Sequence, residues 1–175
     1  MSGRRALTVF VADLLKHPGS RRAEQIPVEL TDLAISTSRV PDGATIVLDV
    51  VVESLSSSIV VAGTITIPWS GACRRCLGDA EGVVVADVRE IFEGRPTDGE
   101  TYPLGGDHID LEPMVRDAVL LSLPLAPLCA DDCAGPAPEV VPVVAAADEP
   151  PADDPADAAP AGDPRWAALD DLRFD

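Results

Sequence analysis

The sequence predicts an α+β fold: a mainly antiparallel sheet, free to curl strongly, with one principal amphipathic helix packed on it and an acidic C-terminal segment outside the core. Three observations predict it. β-Branched stretches follow one another at 45–54, 59–69 and 83–92. Residues 111–122 carry apolar side chains at helical spacing, and proline and acidic residues accumulate after them. Strands, then a helix, then a polar tail make an α+β layer plan rather than an alternating one.

Taken in order, Thr8-Val9-Phe10-Val11 is a short apolar run that suits a first strand, and Ala12 to Lys16 suits a helical turn stopped by His17-Pro18-Gly19. Ile26, Val28 and Leu30 alternate with Pro27 and Glu29, the period of a half-buried strand, and Pro27 places it at an edge. TIVLDVVVES at 45–54 and IVVAGTITIPW at 59–69 read as a hairpin across a serine-rich turn. In the second strand Val61, Gly63, Ile65 and Ile67 share the face better suited to burial. Val83 to Phe92 alternates again, and the turns between these strands imply antiparallel pairing.

Residues 94–108, rich in Gly, Pro and Asp, read as a loop. Asp110 then suits the cap of a helix from Leu111 to Ser122, with Glu112 and Pro113 in its first turn and Pro124 ending it. Leu111, Met114, Val115, Ala118, Val119 and Leu123 form the stripe expected to face the sheet. These elements make 1–134 a single domain. Residues 135–164 hold eight prolines, seven acidic residues and no positive charge, a composition that cannot bury enough surface to offset ordering entropy, so this acidic tail is expected to be disordered. Trp166, Leu169 and Leu172 mark 165–175 as a short terminal helix or docking segment.

The chain carries a formal net charge of −17. Residues 1–116 hold 17 Asp+Glu against 11 Lys+Arg, and residues 117–175 hold 13 against 2, so most of the charge lies on the C-terminal third. Nucleic-acid affinity rests on neutralising phosphates with Lys and Arg, so strong direct RNA binding is not expected. The doublets Arg4-Arg5, Arg21-Arg22 and Arg74-Arg75 are the local candidates for RNA contact, but such doublets are usually solvated surface. A basic protein partner suits the charge better. The run from Ala6 is interrupted by Asp13 and Lys16 and lacks a cleavage site, and no stretch approaches the roughly 20 apolar residues of a membrane span. The expectation is a cytoplasmic protein.

All four cysteines fall in two close pairs, Cys73-x-x-Cys76 and Cys129-x-x-x-Cys133, with 52 residues between the pairs. Short spacers let one turn present two thiolates to an ion, so two such pairs are the makings of a closed structural zinc site. Buried thiols without metal are a second reading, and a redox pair a third. The redox context is poor, because Cys73 follows a strand rather than opening a helix and Gly82 interrupts the sequence soon after. His17 and His108 are the only histidines and lie in turns; His108 with Asp110 is an acid–base or ligand candidate, but Asp110 serves better as a cap.

Trp69-Ser-Gly-Ala-Cys73-Arg-Arg-Cys76-Leu77, then Ile109-Asp110-Leu111-Glu112-Pro113-Met114-Val115-Arg116-Asp117, Leu120 to Leu125 and Pro127-Leu128-Cys129-Ala-Asp-Asp-Cys133, occur in an order that resembles the YceD-like family. Asp163-Pro164-Arg165-Trp166-Ala167-Ala168-Leu169 is similar to that family's closing segment. The resemblance implies a role in accumulation of large-subunit ribosomal RNA, hence ribosome biogenesis, with no established enzymatic activity. Genes of the family commonly neighbour that of a small zinc-ribbon ribosomal protein, which implies a basic large-subunit ribosomal protein or ribosome precursor as partner. Many relatives carry further cysteines where this chain has Ala137 and Val140. The alternative from another class is a metal-dependent RNA-processing enzyme, against which loose carboxylates lack the preorganisation that catalysis needs.

Overall fold

Three long strands organise the computed structural model, which describes residues 7–136. The N-terminal Arg4-Arg5 and the expected tail and terminal helix beyond 136 lie outside the described residues. In chain order the elements are β1 Thr8–Phe10, α1 Ala12–Leu15, β2 Arg21–Val28, β3 Ser38–Arg39, β4 Ile46–Ser54, β5 Ser58–Ala72, β6 Asp79–Glu93, β7 Tyr102–Pro103, β8 His108–Asp110 and α2 Glu112–Ser122. The larger sheet runs β2-β4-β5-β6-β7, with β3 also on β5, and it is not closed; β1 and β8 form a separate pair. Every pairing is antiparallel except β6 with β7.

The β4–β5 hairpin forms as the alternation predicts, with Ser54 opposite Ile59. Ile59, Val61, Ile65 and Ile67 are wholly buried on the inner face of β5, facing a core that includes Leu48, Val50 and Phe92. Gly63 is required by a close approach. A Cβ there would lie 2.2 Å from the Asp49 carbonyl oxygen, so no other residue fits without moving β4.

Several boundaries depart from expectation. The first strand of the main sheet begins at Arg21, not Ile26, because its polar first half lies on an exposed edge; Pro27 does sit on that edge. The third long strand begins at Asp79 and runs through Gly82, which is therefore no interruption: it lies opposite Trp69, whose indole packs where a Cβ would be. The loop expected over 94–108 contains β7, which turns back onto the end of β6, and the start of β8, whose partner β1 lies at the other end of the domain's sequence.

The principal helix forms on the expected stripe but starts at Glu112, with Leu111 rather than Asp110 at its N-cap and no side-chain bond from the cap. Met114, Val115 and Val119 are buried on it, flanked by Leu111 and Leu123. Asp110 Oδ1 accepts from the Glu112 N–H at 2.9 Å, satisfying one of the free donors at the helix start. Glu112 pairs with Arg116 one turn on at 2.9 Å. Leu123 is extended, and the following Pro124 directs the chain away from the helix toward the far end of β5.

Candidate metal centre

Pairing with β4 ends at Thr66 of β5, while β5 and β6 continue as an arm to Ala72 and Asp79, joined near its end by β3. The tip of that arm is the first cysteine turn. Cys73 N–H donates to the Gly78 carbonyl at 2.8 Å and Leu77 N–H to the Cys73 carbonyl at 2.9 Å. Leu77 takes a left-handed φ of 62°, an uncommon conformation for a branched residue, and its side chain is exposed.

The second cysteine turn is led to this tip by β3. Ser38 and Arg39 pair with Gly71 and Ser70, and the Ser38 and Thr37 hydroxyls donate to the Pro124 carbonyl at 2.9 and 3.1 Å. Arg74 N–H donates to the Pro127 carbonyl at 2.9 Å. Arg75 Nη1 reaches the carbonyls of Asp131 and Cys133 at 2.8 and 3.0 Å. Gly71 belongs to this arrangement too, since a Cβ there would lie 2.4 Å from the Thr37 carbonyl oxygen.

These contacts bring all four sulfurs within 4.8 Å of one another. Cys73 Sγ lies 3.8 Å from Cys133 Sγ, and Cys76 Sγ lies 3.7 Å from Cys129 Sγ. A disulfide needs about 2.05 Å. Sulfurs held tetrahedrally at about 2.3 Å from one ion sit about 3.8 Å apart, so the cluster is compatible with a structural metal. Both of these close contacts join one cysteine motif to the other, so the two turns share a single cluster.

The electrostatics agree with the geometry. Backbone N–H groups of Cys76, then of Cys129 and Arg75, hold the buried Cys73 thiol down to about 6. The neighbouring sulfurs of Cys133, Cys73 and Cys76 push Cys129 up to about 12. One sulfur is thus prepared as thiolate, while gathering four negative charges is resisted. A cation at the centre removes that resistance.

The histidines do not join the cluster. His17 is exposed, His108 Nδ1 pairs with Asp107 Oδ1 at 2.9 Å, and Asp110 accepts from the Glu112 N–H at the helix start. The Arg21-Arg22 doublet is engaged locally, Arg21 with Glu53 and Arg22 with Asp13 and Glu24. Thr37 and Ser38 are the supporting residues that sequence reasoning missed, while Arg75, singled out there only as half of a surface doublet, ties the two turns together. Only the place of Arg75 between two cysteines offered a signal; the two hydroxyls lie in an unremarkable polar stretch.

The profile of the family described as large ribosomal RNA subunit accumulation protein YceD matches residues 61–173, well over half of the chain. Uncharacterized proteins of Mycobacterium tuberculosis (strain H37Rv) and Mycobacterium bovis are each 33% identical over 178 residues, covering 93% of this chain and 79% of their own. An uncharacterized Mycobacterium leprae protein is 34% identical over 134 residues, covering 71% of this chain and 61% of its own. No solved structure matches the chain. Among the described residues, no helix is long and apolar enough to cross a membrane. A match that spans both cysteine motifs and the helix between them decides the family: the chain belongs to the YceD family of large ribosomal RNA subunit accumulation proteins.

Proposed function

We propose that this protein is a non-catalytic cytoplasmic factor supporting accumulation of large-subunit ribosomal RNA. In this reading Cys73, Cys76, Cys129 and Cys133 hold one structural zinc, and the acidic surface engages a basic large-subunit ribosomal protein or a ribosome precursor. The observation that carries it is the convergence of the family's two cysteine motifs on one four-sulfur cluster. Thiolates are the ligands zinc favours, and four of them fill its tetrahedron. A catalytic zinc keeps one position for water or substrate; a zinc held by these four sulfurs would have every position filled by protein, which favours a structural role. The net charge of −17 favours a cationic protein over bare RNA.

Deleting the gene in its source organism and measuring large- against small-subunit ribosomal RNA tests the function. The expected result is a fall in the large-subunit species, rescued by the wild-type gene and not by Cys73→Ser with Cys133→Ser. An unchanged ratio overturns the reading. Affinity capture with and without nuclease tests the partner, which should survive nuclease treatment. Cleavage of precursor ribosomal RNA by the purified protein, lost on a single carboxylate substitution, would instead make it an enzyme.

A further inference from the structure

Among the described residues, most of β6 is paired along one edge only. From Asp79 to Ile91 its ladder partners among the described residues all lie on β5, and β7 meets the other edge only at Phe92 and Glu93. Along such an edge alternate backbone N–H and C=O groups point outward, a template for another strand. Its charged residues, Asp79, Glu81, Asp87, Arg89 and Glu90, are mostly acidic, so they repel a like strand but not a cationic one. The stretch contains neither Lys nor Pro, and Val83 and Val85 beside the edge are 63% and 60% exposed.

A groove of about 880 Å³ runs beside this edge, walled by the 98–102 loop and by the C-terminal half of α2. Ala86, Val88 and Met114 contribute apolar lining, and Leu121, 87% exposed, stands at its side. Asp87, Glu90, Asp98, Glu100 and Asp117 also line it, with no Lys or Arg among the lining residues. The Tyr102 hydroxyl donates to Asp117 Oδ2 at 2.8 Å, so it does not neutralise the groove.

We propose that the free edge of β6 and this groove accept an extended segment of a basic protein, added as a strand with Lys or Arg alternating with apolar side chains. This rests on the basic-partner reading above and locates it. Strand addition draws affinity from main-chain hydrogen bonds and selectivity from alternate side chains. On this edge one set of side chains enters a groove of five carboxylates, which selects cations. Charge also disfavours other occupants. RNA brings phosphates, a second copy of β6 brings the same carboxylates, and residues 117–175 of this chain are themselves 13 acidic to 2 basic.

The test uses the full chain and a labelled peptide alternating arginine with valine, with binding followed by fluorescence anisotropy. A second peptide is N-methylated at alternate residues, which keeps its charge but removes ladder donors. Expected are a loss of roughly tenfold or more for the methylated peptide, about 1.4 kcal/mol per factor of ten, and a similar loss for the folded variant Asp87→Asn/Glu90→Gln/Asp117→Asn. If that variant misfolds, Asp98→Asn/Glu100→Gln on the loop replaces it. Hydrogen exchange at Gly82 to Glu90 should slow when peptide is added. Equal affinity for the two peptides, unchanged affinity in a folded variant, or edge amides already protected in the free chain overturns the proposal. Tighter binding of a single-stranded oligonucleotide to the same groove also overturns it. Failure of the peptide test together with the expected fall in large-subunit ribosomal RNA on deletion refutes the groove alone, whereas an unchanged ribosomal RNA ratio refutes the function and leaves peptide binding standing.

Discussion

Arg75 donates from Nη1 to the carbonyl oxygen of Cys133 at 3.0 Å, and so one residue of the first cysteine turn holds the backbone of the second. The same nitrogen holds Asp131 at 2.8 Å. Both bonds are exposed, and water replaces them when they are lost, so Arg75→Ala should change global stability by less than about 1 kcal/mol. It should loosen the tie between the turns. Metal loss to a chelator is expected to quicken by roughly three- to tenfold, measured with a chromogenic chelator beside a thermal melt.

Chelation of the wild-type protein should lower the melting temperature without abolishing the fold. Small zinc fingers unfold without metal because binding supplies roughly 10–16 kcal/mol that they have no core to replace. Here Leu48, Ile65, Phe92, Met114 and Val115 form a core that does not depend on the cysteines. Far-ultraviolet circular dichroism should therefore retain its strand signal after metal removal, while hydrogen exchange rises around 124–133. Complete loss of the strand signal would contradict this.

Ser38 and Thr37 share one acceptor, the Pro124 carbonyl. Removing either hydroxyl leaves that oxygen a donor, so Ser38→Ala and Thr37→Val should each cost about 0.5–1.5 kcal/mol. Removing both strands the carbonyl beside the buried Ser38 position and should cost more than the sum. A double-mutant cycle from urea denaturation measures the excess; additivity within a few tenths of a kcal/mol would show that the two bonds are independent.

Tyr102 should make stability fall in strongly alkaline solution. Burial first, and then the hydrogen bond to Asp117, hold its hydroxyl above the ordinary value of 10.0. A folded-state value above the unfolded one means that the unfolded chain releases this proton first. The contribution is complete below about pH 10 and is lost as pH rises through the folded value. Tyr102→Phe lacks that titration and should show a flatter denaturation midpoint above pH 10 than wild type. Parallel curves would exclude Tyr102 as the source.

What was legible in the sequence is what local periodicity controls. Val61, Ile65 and Ile67 alternate with polar or small neighbours, and Met114, Val115 and Val119 fall on one helical stripe, so both buried faces could be read before any contact was known. Arg21 to Gln25 carry no such signal because an edge strand facing solvent needs none. β3 and β7, of two residues each, exist only because Gly71 and Phe92 present them with partners. The pairing of Cys73-x-x-Cys76 with Cys129-x-x-x-Cys133 suggested a common site through residue chemistry, but nothing local showed that Thr37, Ser38 and Arg75 would bridge the intervening 52 residues.

That separation also orders events in time. The second cysteine turn reaches the first only after β6 has paired with β5 and α2 has packed on the sheet, because those elements span the chain between them. Closing so long a loop is entropically unfavourable until the intervening structure shortens it. A cation held by all four sulfurs would therefore be captured late in folding, where interactions leave the folding rate nearly unaltered and slow unfolding instead. Bound there, it would act as a latch, setting how long the native state persists rather than how quickly it is reached.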